Sequence, residues 1–392
     1  MIRVLICDDS AFMRSLIRSV LERDGAFAVI GEAGDAFEAR EAIKTLNPDV
    51  LTLDVEMPRM DGVAFLEKIM RLRPMPVVMV STLTQAGADI TLQALELGAA
   101  NAVQKPSPSE ENGFLRFGEE LRAAIIAAAQ CARPALPPAR APARVAGPAQ
   151  YVEAMIAIGA STGGVEALHQ ILPRFPANSP PIAIVQHMPA EFTRRFAERL
   201  DQACAIEVRE AQDAMPLRAG LCVIAPGGRH LRIGGGPGRF FCQLSDEAPI
   251  SGHRPSVDGL FASVAKSAGP SGAGMLLTGM GRDGAEGLLQ LRRAGAFTCA
   301  QSEASCVIYG MPRAAQEMGA CAAQADLADL PGLVLRALAH FQQKCRRGFV
   351  PENAHNQLVI ASNPVKSGSD FTDDAIETSN SNREGNAHAK GR

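Results

Sequence analysis

Ala154-Met155-Ile156-Ala157-Ile158-Gly159-Ala160-Ser161-Thr162-Gly163-Gly164 decides the fold of the carboxy-terminal half of this chain. An unbroken run of apolar and small residues leads into a hydroxyl, and glycines follow. Such a run, closed by turn residues, reads as a strand covered on both faces, as in a parallel sheet. Two more runs have the same form: Ile182-Ala183-Ile184-Val185-Gln186-His187, and Gly274-Met275-Leu276-Leu277-Thr278-Gly279-Met280-Gly281-Arg282-Asp283. Open α/β sheets gather chemistry at the carboxyl ends of their strands. Ser161, His187 and Asp283 each stand just past a strand, so they could meet as a nucleophilic triad.

Working outward, βα alternation extends over residues 152–345. It is interrupted by His230–Ile233 and Arg239–Leu244, which flank Gly234-Gly235-Gly236-Pro237-Gly238. This spacing predicts a hairpin. A phosphate loop is the alternative, but no Gly-Lys-Ser/Thr follows the glycines. Residues 1–129 hold five further βα units, with strands expected at Val4–Cys7, Ala28–Glu32, Val50–Leu53, Val77–Val80 and Asn101–Val103. Both halves are therefore expected to be doubly wound α/β domains. Residues 130–151 are rich in proline and alanine and read as a linker. Residues 346–392 are polar and read as a disordered tail.

The chain has 392 residues, 47% of them hydrophobic, and a net charge of −3, enough for two domains and no pointer to nucleic acid. No apolar run reaches the roughly eighteen residues of a membrane span. Carboxylates follow the first apolar run directly, unlike a signal peptide. The nine cysteines form no Cys-x-x-Cys pair, and those in apolar runs, such as Cys7, Cys222 and Cys242, read as small buried hydrophobes in a reducing compartment.

In the amino-terminal half, Asp8 and Asp9 follow the first strand, Asp54 the third, Ser81 the fourth and Lys105 the fifth. Carboxylates at adjacent strand ends make an oxygen-rich pocket suited to Mg²⁺. There a phosphoryl group could be taken up, with Lys105 as a point charge and Ser81 as a hydrogen-bonding partner. The plainer reading is helix capping, since Asp8, Asp9 and Ser10 also precede a helix. In the other half, Gly159-Ala160-Ser161-Thr162-Gly163 fits a Gly-x-Ser-x-Gly elbow, with Val165–Leu172 as the following helix. Ser161 and Thr162 could equally cap that helix. The chain order Ser161, His187, Asp283 argues against the α/β-hydrolase superfold, which runs serine, acid, histidine. His253 is the main rival to His187, while Asp258 is a rival acid that reads as a helix start.

Residues 2–125 resemble the response-regulator receiver family, on Asp54-Val55-Glu56-Met57-Pro58-Arg59-Met60-Asp61-Gly62 and Val103-Gln104-Lys105-Pro106. The resemblance implies a flavodoxin-like five-stranded parallel sheet, phosphorylation of Asp54 by a histidine kinase, and Mg²⁺ bound by Asp9, Asp54 and the backbone of Glu56. Ala102 departs from the pattern, because the family often has an aromatic switch residue there. Residues 152–345 resemble the chemotaxis protein-glutamate methylesterases in four ordered motifs. These are Ile158-Gly159-Ala160-Ser161-Thr162-Gly163-Gly164, Val185-Gln186-His187-Met188-Pro189, Pro255-Ser256-Val257-Asp258 and Leu277-Thr278-Gly279-Met280-Gly281-Arg282-Asp283-Gly284-Ala285. A receiver in front matches that family's architecture.

The second resemblance implies a Rossmann-like, mainly parallel sheet with an antiparallel hairpin. It implies a cytoplasmic enzyme that hydrolyses glutamyl methyl esters on chemoreceptors, and in some members deamidates receptor glutamines, without a cofactor for the ester chemistry. Ser161 would be the nucleophile, His187 the general base and Asp283 its orienting acid. Thr162 and the loop around Met280 would shape the substrate slot, with oxyanion donors at the serine turn and near Met280. The unphosphorylated receiver would pack over the cleft. Two other readings compete: a receiver-gated hydrolase of a different ester or amide, and a non-enzymatic response regulator. The latter wants a basic helix-turn-helix after the linker, which is not found.

Overall fold

The computed structural model describes residues 1–23, 25–82, 85–106, 113–131 and 153–346. Apart from Gln130, Cys131 and Arg346, the expected linker and tail lie outside these residues. The first half alternates β1 (Ile2–Cys7), α1 (Ala11–Glu22), β2 (Phe27–Ala33), α2 (Ala36–Leu46), β3 (Val50–Asp54), α3 (Gly62–Leu72), β4 (Val77–Ser81), α4 (Gln85–Glu96), β5 (Asn101–Gln104) and α5 (Gly113–Ala129). The strands pair in parallel in the order β2-β1-β3-β4-β5. Their period of two splits the apolar residues between two cores. Leu5, Leu51 and Leu53 pack with Phe65 and Leu66 on one face, while Val4 and Ile6 pack with Ile17, Phe117 and Ile125 on the other.

The second half runs β6 (Met155–Ala160), α6 (Gly164–Ile171), β7 (Ile182–Gln186), α7 (Ala190–Ala203), β8 (Glu207–Glu210), β9 (Leu221–Ile224), β10 (His230–Gly234), β11 (Phe241–Ser245), α8 (Val257–Ser267), β12 (Gly272–Leu276), α9 (Ala285–Arg293), β13 (Phe297–Gln301), α10 (Met311–Glu317), β14 (Ala323–Ala325) and α11 (Leu330–Arg346). Its seven-stranded sheet has the order β14-β13-β12-β6-β7-β9-β8 and is parallel throughout. The expected hairpin is present, but β10 and β11 form a separate two-stranded antiparallel sheet. Its glycines make the turn: Gly235 has φ 85° and a Cβ there would lie 2.1 Å from the Arg239 carbonyl oxygen.

Both sheets change winding direction beside their first strand, between β1 and β3 and between β6 and β12. Such switch points leave a crevice at the carboxyl ends of the strands. Asp54 and Ser81 are the last residues of β3 and β4 rather than the residues after them. Their backbones remain in the ladder, Asp54 beside Val80 and Ser81 beside Gln104. Cys7, Cys222 and Cys242 are buried, and burial pushes Cys7 and Cys242 up to about 12 and Cys222 well above its ordinary value. No described helix is long and apolar enough to cross a membrane.

Candidate active site

β6 delivers Ser161 to the switch point, where its backbone N–H donates to the Thr278 carbonyl at 3.0 Å. The turn needs glycine. Gly163 has φ 77°, and a side chain on Gly164 would collide with Gln186, its Cβ 2.1 Å from Oε1. Gly163, not Ser161 or Thr162, is the N-cap of α6, and no side chain caps that helix. The serine hydroxyl is therefore available for other bonds. It lies 3.2 Å from His187 Nδ1, while His187 Nε2 lies 2.8 Å from Asp283 Oδ2. This geometry calls for the tautomer in which Nε2–H donates to Asp283 and the Nδ1 lone pair faces the serine hydroxyl. Gln186 Nε2 steadies both neighbours, donating to the Ser161 and His187 carbonyls at 2.9 and 3.2 Å.

Asp283 follows β12, but it does not cap the helix that it precedes. Its carboxylate accepts from the Ser256 hydroxyl at 2.8 Å and from the first amides of α8, Val257 at 2.8 Å and Asp258 at 3.0 Å. Those amides have no partner within their helix and carry its positive dipole end. Asp258 returns the arrangement. Its Oδ1 accepts from Gly284 at 2.9 Å and Gly287 at 2.7 Å, at the start of α9. Two carboxylates thus cap each other's helices, which fixes the Asp283 turn against α8. Burial alone would raise the Asp283 carboxyl, but His187 and the α8 amides outweigh it and hold the group at about 2. Asp283 is therefore an anion that can balance a charged imidazole.

The rival histidine also belongs here. His253 stacks on His187, with ring centroids 4.0 Å apart and planes within 4°. A composition scan of the sequence could not have shown this, because the two rings come from separate loops. The loop after β12 presses on Ser161: a Cβ on Gly279 would lie 2.7 Å from Ser161 Cβ. Gly310 leaves room for that loop, since a Cβ there would lie 2.6 Å from the Gly279 carbonyl oxygen. Thr162 lines the cavity at Ser161, whereas Met280, one residue past Gly279, does not line it.

That cavity is closed by the other half of the chain. Thr91, Leu95 and Ala102 face Ser161, Glu166, His187 and His253 across about 140 Å³. Leu92 of α4 is fully buried and joins the apolar core of the second half. Glu96 binds Arg199 with two contacts, Nε–Oε1 at 2.9 Å and Nη2–Oε2, and lies 3.5 Å from His169 Nε2. Burial pushes Glu166 up to about 7 despite its bond from Gln170.

At the opposite switch point, Lys105 Nζ lies 2.9 Å from Asp8 and 2.8 Å from Asp54. Ser10 takes the capping role on α1, and Asp8 Oδ1 accepts its N–H at 2.9 Å. One oxygen each from Asp8, Asp9 and Asp54 lie within 4.8 Å of one another. Burial, with repulsion from Asp8, pushes Asp54 up to about 6 even though Lys105 opposes it. Three hard oxygen donors and a surplus of negative charge fit a divalent cation. Glu56 N–H donates to Asp54 at 3.3 Å, which brings its backbone to the same carboxylate. Ser81 is buried, and its hydroxyl accepts from Thr91 Oγ1 at 2.9 Å. The Ser81 carbonyl accepts from the Lys105 N–H at 2.8 Å, and its hydroxyl is bonded to α4, whose Thr91 and Leu95 line the cavity at Ser161.

Residues 156–334 match the model of the CheB methylesterase family, and residues 4–112 match that of the response regulator receiver domain. The protein-glutamate methylesterase/protein-glutamine glutaminase of Rhizobium etli is 54% identical over 342 residues, 86% of this chain and 96% of its own length. A relative of the same description from Caulobacter vibrioides is 53% identical over 341 residues, 85% of this chain and 97% of its own. Among solved structures, the Thermotoga maritima CheB methylesterase catalytic domain is 34% identical, covers 47% of this chain and 97% of its own, and gives a TM-score of 0.46.

Proposed function

Because this chain belongs to the receiver-linked protein-glutamate methylesterase family, we propose that it demethylates glutamyl methyl esters on chemoreceptors under control of receiver phosphorylation. The observation that carries the reading is the Ser161–His187–Asp283 relay, with both hydrogen bonds formed at one switch point. His187 Nδ1 takes the serine proton as Oγ attacks the ester carbonyl. Asp283 stabilises the resulting imidazolium, and the tetrahedral oxyanion is met by backbone N–H groups at the serine turn and the 279–281 loop. Collapse expels methanol, which takes the proton from His187, and water then cleaves the acyl-enzyme. A primary amide enters the same sequence with ammonia as leaving group, so glutamine deamidation needs no further residue. Thr162 borders the slot beside the nucleophile.

In the receiver, Asp54 accepts the phosphoryl group from a chemotaxis-type histidine kinase in the cytoplasm. Asp8, Asp9, Asp54 and the Glu56 backbone would hold Mg²⁺, which supplies charge neutralisation during the transfer. Lys105 holds the phosphoryl oxygens as a point charge and Ser81 bonds them. A bond from the Ser81 hydroxyl to the phosphoryl group reorients the oxygen that Thr91 bonds to, and so acts on α4 without an aromatic residue at Ala102. Release of α4 uncovers Ser161 for the receptor. The domains divide near residues 129 and 152, joined by the segment between. The test is methanol release from methyl-labelled receptor, with and without a small phosphodonor. Release that needs Ser161 and rises with phosphodonor supports the reading; a folded Ser161→Ala protein as fast as wild type overturns it.

A further inference from the structure

Beyond the three relay residues, the site contains a fourth side chain with no role in that account. His253 lies flat against His187, centroids 4.0 Å apart and planes within 4°. Its position is fixed by a tight turn. Ile250 and His253 exchange two backbone hydrogen bonds, at 3.1 and 2.9 Å. Ser251 and Gly252 between them have φ 53° and 82°, as in a type I′ turn. His253 Nδ1 lies 2.9 Å from the Ser251 carbonyl, so Nδ1 carries hydrogen and donates. The Ser251 hydroxyl in turn donates to Asp258 at 3.0 Å, the carboxylate that fixes the Asp283 turn. One element, α8, thereby anchors both the acid of the relay and the ring behind its base.

A metal site is the competing reading, since His187, His253 and Asp283 each offer one donor atom within 4.8 Å of the others. The geometry opposes it. Parallel rings aim their in-plane lone pairs side by side, not at a common point. The Asp283 oxygens are already occupied by Ser256, Val257, Asp258 and His187.

We infer that His253 is a positioning residue for the hydrolytic step, its anchored neutral ring holding His187 in the one plane that reaches Ser161 and Asp283 together. His187 must satisfy a bond at each end of its ring, and rotation out of plane lengthens both. A ring stacked at van der Waals distance removes that freedom. Small misplacements of a general base carry large rate costs, up to about 10²-fold for about 1 Å. Neutrality matters as well. As His187 takes the serine proton, a charged neighbour at 4.0 Å would oppose it. Burial and the facing His187 both lower the His253 pKa, against the opposite pull of Asp283 and the Ser251 carbonyl. The titratable groups around His253 are His187 and Asp283, with Asp258 reached through Ser251 and Glu166 lining the same cavity.

This inference rests on the proposed reaction, so the test has two arms on the full chain with saturating phosphodonor. One arm measures methanol release from methylated receptor against pH. The other measures labelling of Ser161 by a fluorophosphonate, which needs no receptor. His253→Ala should lower kcat by about 10- to 100-fold with KM within about threefold. His253→Phe keeps a flat ring that cannot be charged, and should recover to within about threefold of wild type. The acid limb of kcat/KM should be steeper in wild type than in His253→Phe, because only the wild-type ring can take up a proton beside His187. The labelling rates should follow the same order. His253→Ala at wild-type rate in both arms overturns the inference. So does a folded His253→Phe as slow as His253→Ala with an unchanged acid limb. If receptor releases no methanol but labelling follows the expected order, the substrate reading fails and the role of His253 stands.

Discussion

Glu96→Ala should raise basal esterase activity without changing the maximal rate. Glu96 holds the receiver over the cleft through two contacts to Arg199 and a third approach from His169. The Glu96 side chain is 17% exposed and Arg199 32%, so the pair is shielded more than a surface ion pair, for which about 0.2–1 kcal/mol is typical. Charge-assisted, two-point bonding argues for more, about 1.5–3 kcal/mol. Arg199 can regain water once Glu96 is gone, which trims the cost. A net loss of about 1–2 kcal/mol remains, and at about 1.4 kcal/mol per tenfold this shifts the covered-to-open ratio about 5- to 30-fold. When the covered form dominates, basal rate rises by the same factor. The assay is methanol release at low salt without phosphodonor, repeated with it. The wild-type basal rate should also climb between about 50 and about 500 mM salt, while that of Glu96→Ala stays flatter. Pairing Glu96→Arg with Arg199→Glu should return the low rate. If Glu96→Ala matches wild type while removal of residues 1–145 raises the rate, another contact holds the receiver. If neither change raises it, covering of the cleft is not how activity is restrained.

Other outcomes follow from the same geometry. Ser161→Ala and His187→Ala should each lower turnover by about 10³-fold or more, because members of the relay act as a unit; single-turnover methanol release measures this. Asp283→Asn should fold, retain its α8 contacts in part, and lose most activity, since it disturbs the tautomer and charge balance of His187. Asp54→Asn should not take up phosphate in the presence of Mg²⁺, which intact-mass analysis reads directly. Glu166 gives a pH signature. Its pKa rises from an ordinary 4.5 to about 7 in the covered cavity, so the covered form binds its proton more tightly. Covering is fully favoured below about 4.5 and weakens as pH rises to about 7. Basal activity should therefore rise across that window, and Glu166→Gln should remove this part of the rise.

What the sequence determined by itself was local. Apolar runs closed by glycine fixed the strands, because a strand buried on both faces cannot tolerate polar positions. That Ser161, His187 and Asp283 would come together was legible, since each follows such a strand and parallel strands end on the same edge. The same logic placed Asp8, Asp54, Ser81 and Lys105 at one edge of the first sheet. The alternatives that the sequence left open were decided by tertiary contacts. Asp283 caps α8 and Asp258 caps α9, an exchange no local pattern reveals because the partners are 25 residues apart or more. His253, weighed as a rival base, stacks behind His187 because a turn fixed by Ser251 and Asp258 brings it there. The hairpin was legible as strands and turn, but its separation from the main sheet was not. Strand periodicity records which face is apolar, and leaves the identity of the neighbour to packing. Ala102, a departure in the sequence, gains a setting only in three dimensions, where it lines the cavity at Ser161. Burial, charge pairing and the course of α4 over the cleft are properties of surfaces that meet after each half has folded, which is why only the structure could supply them.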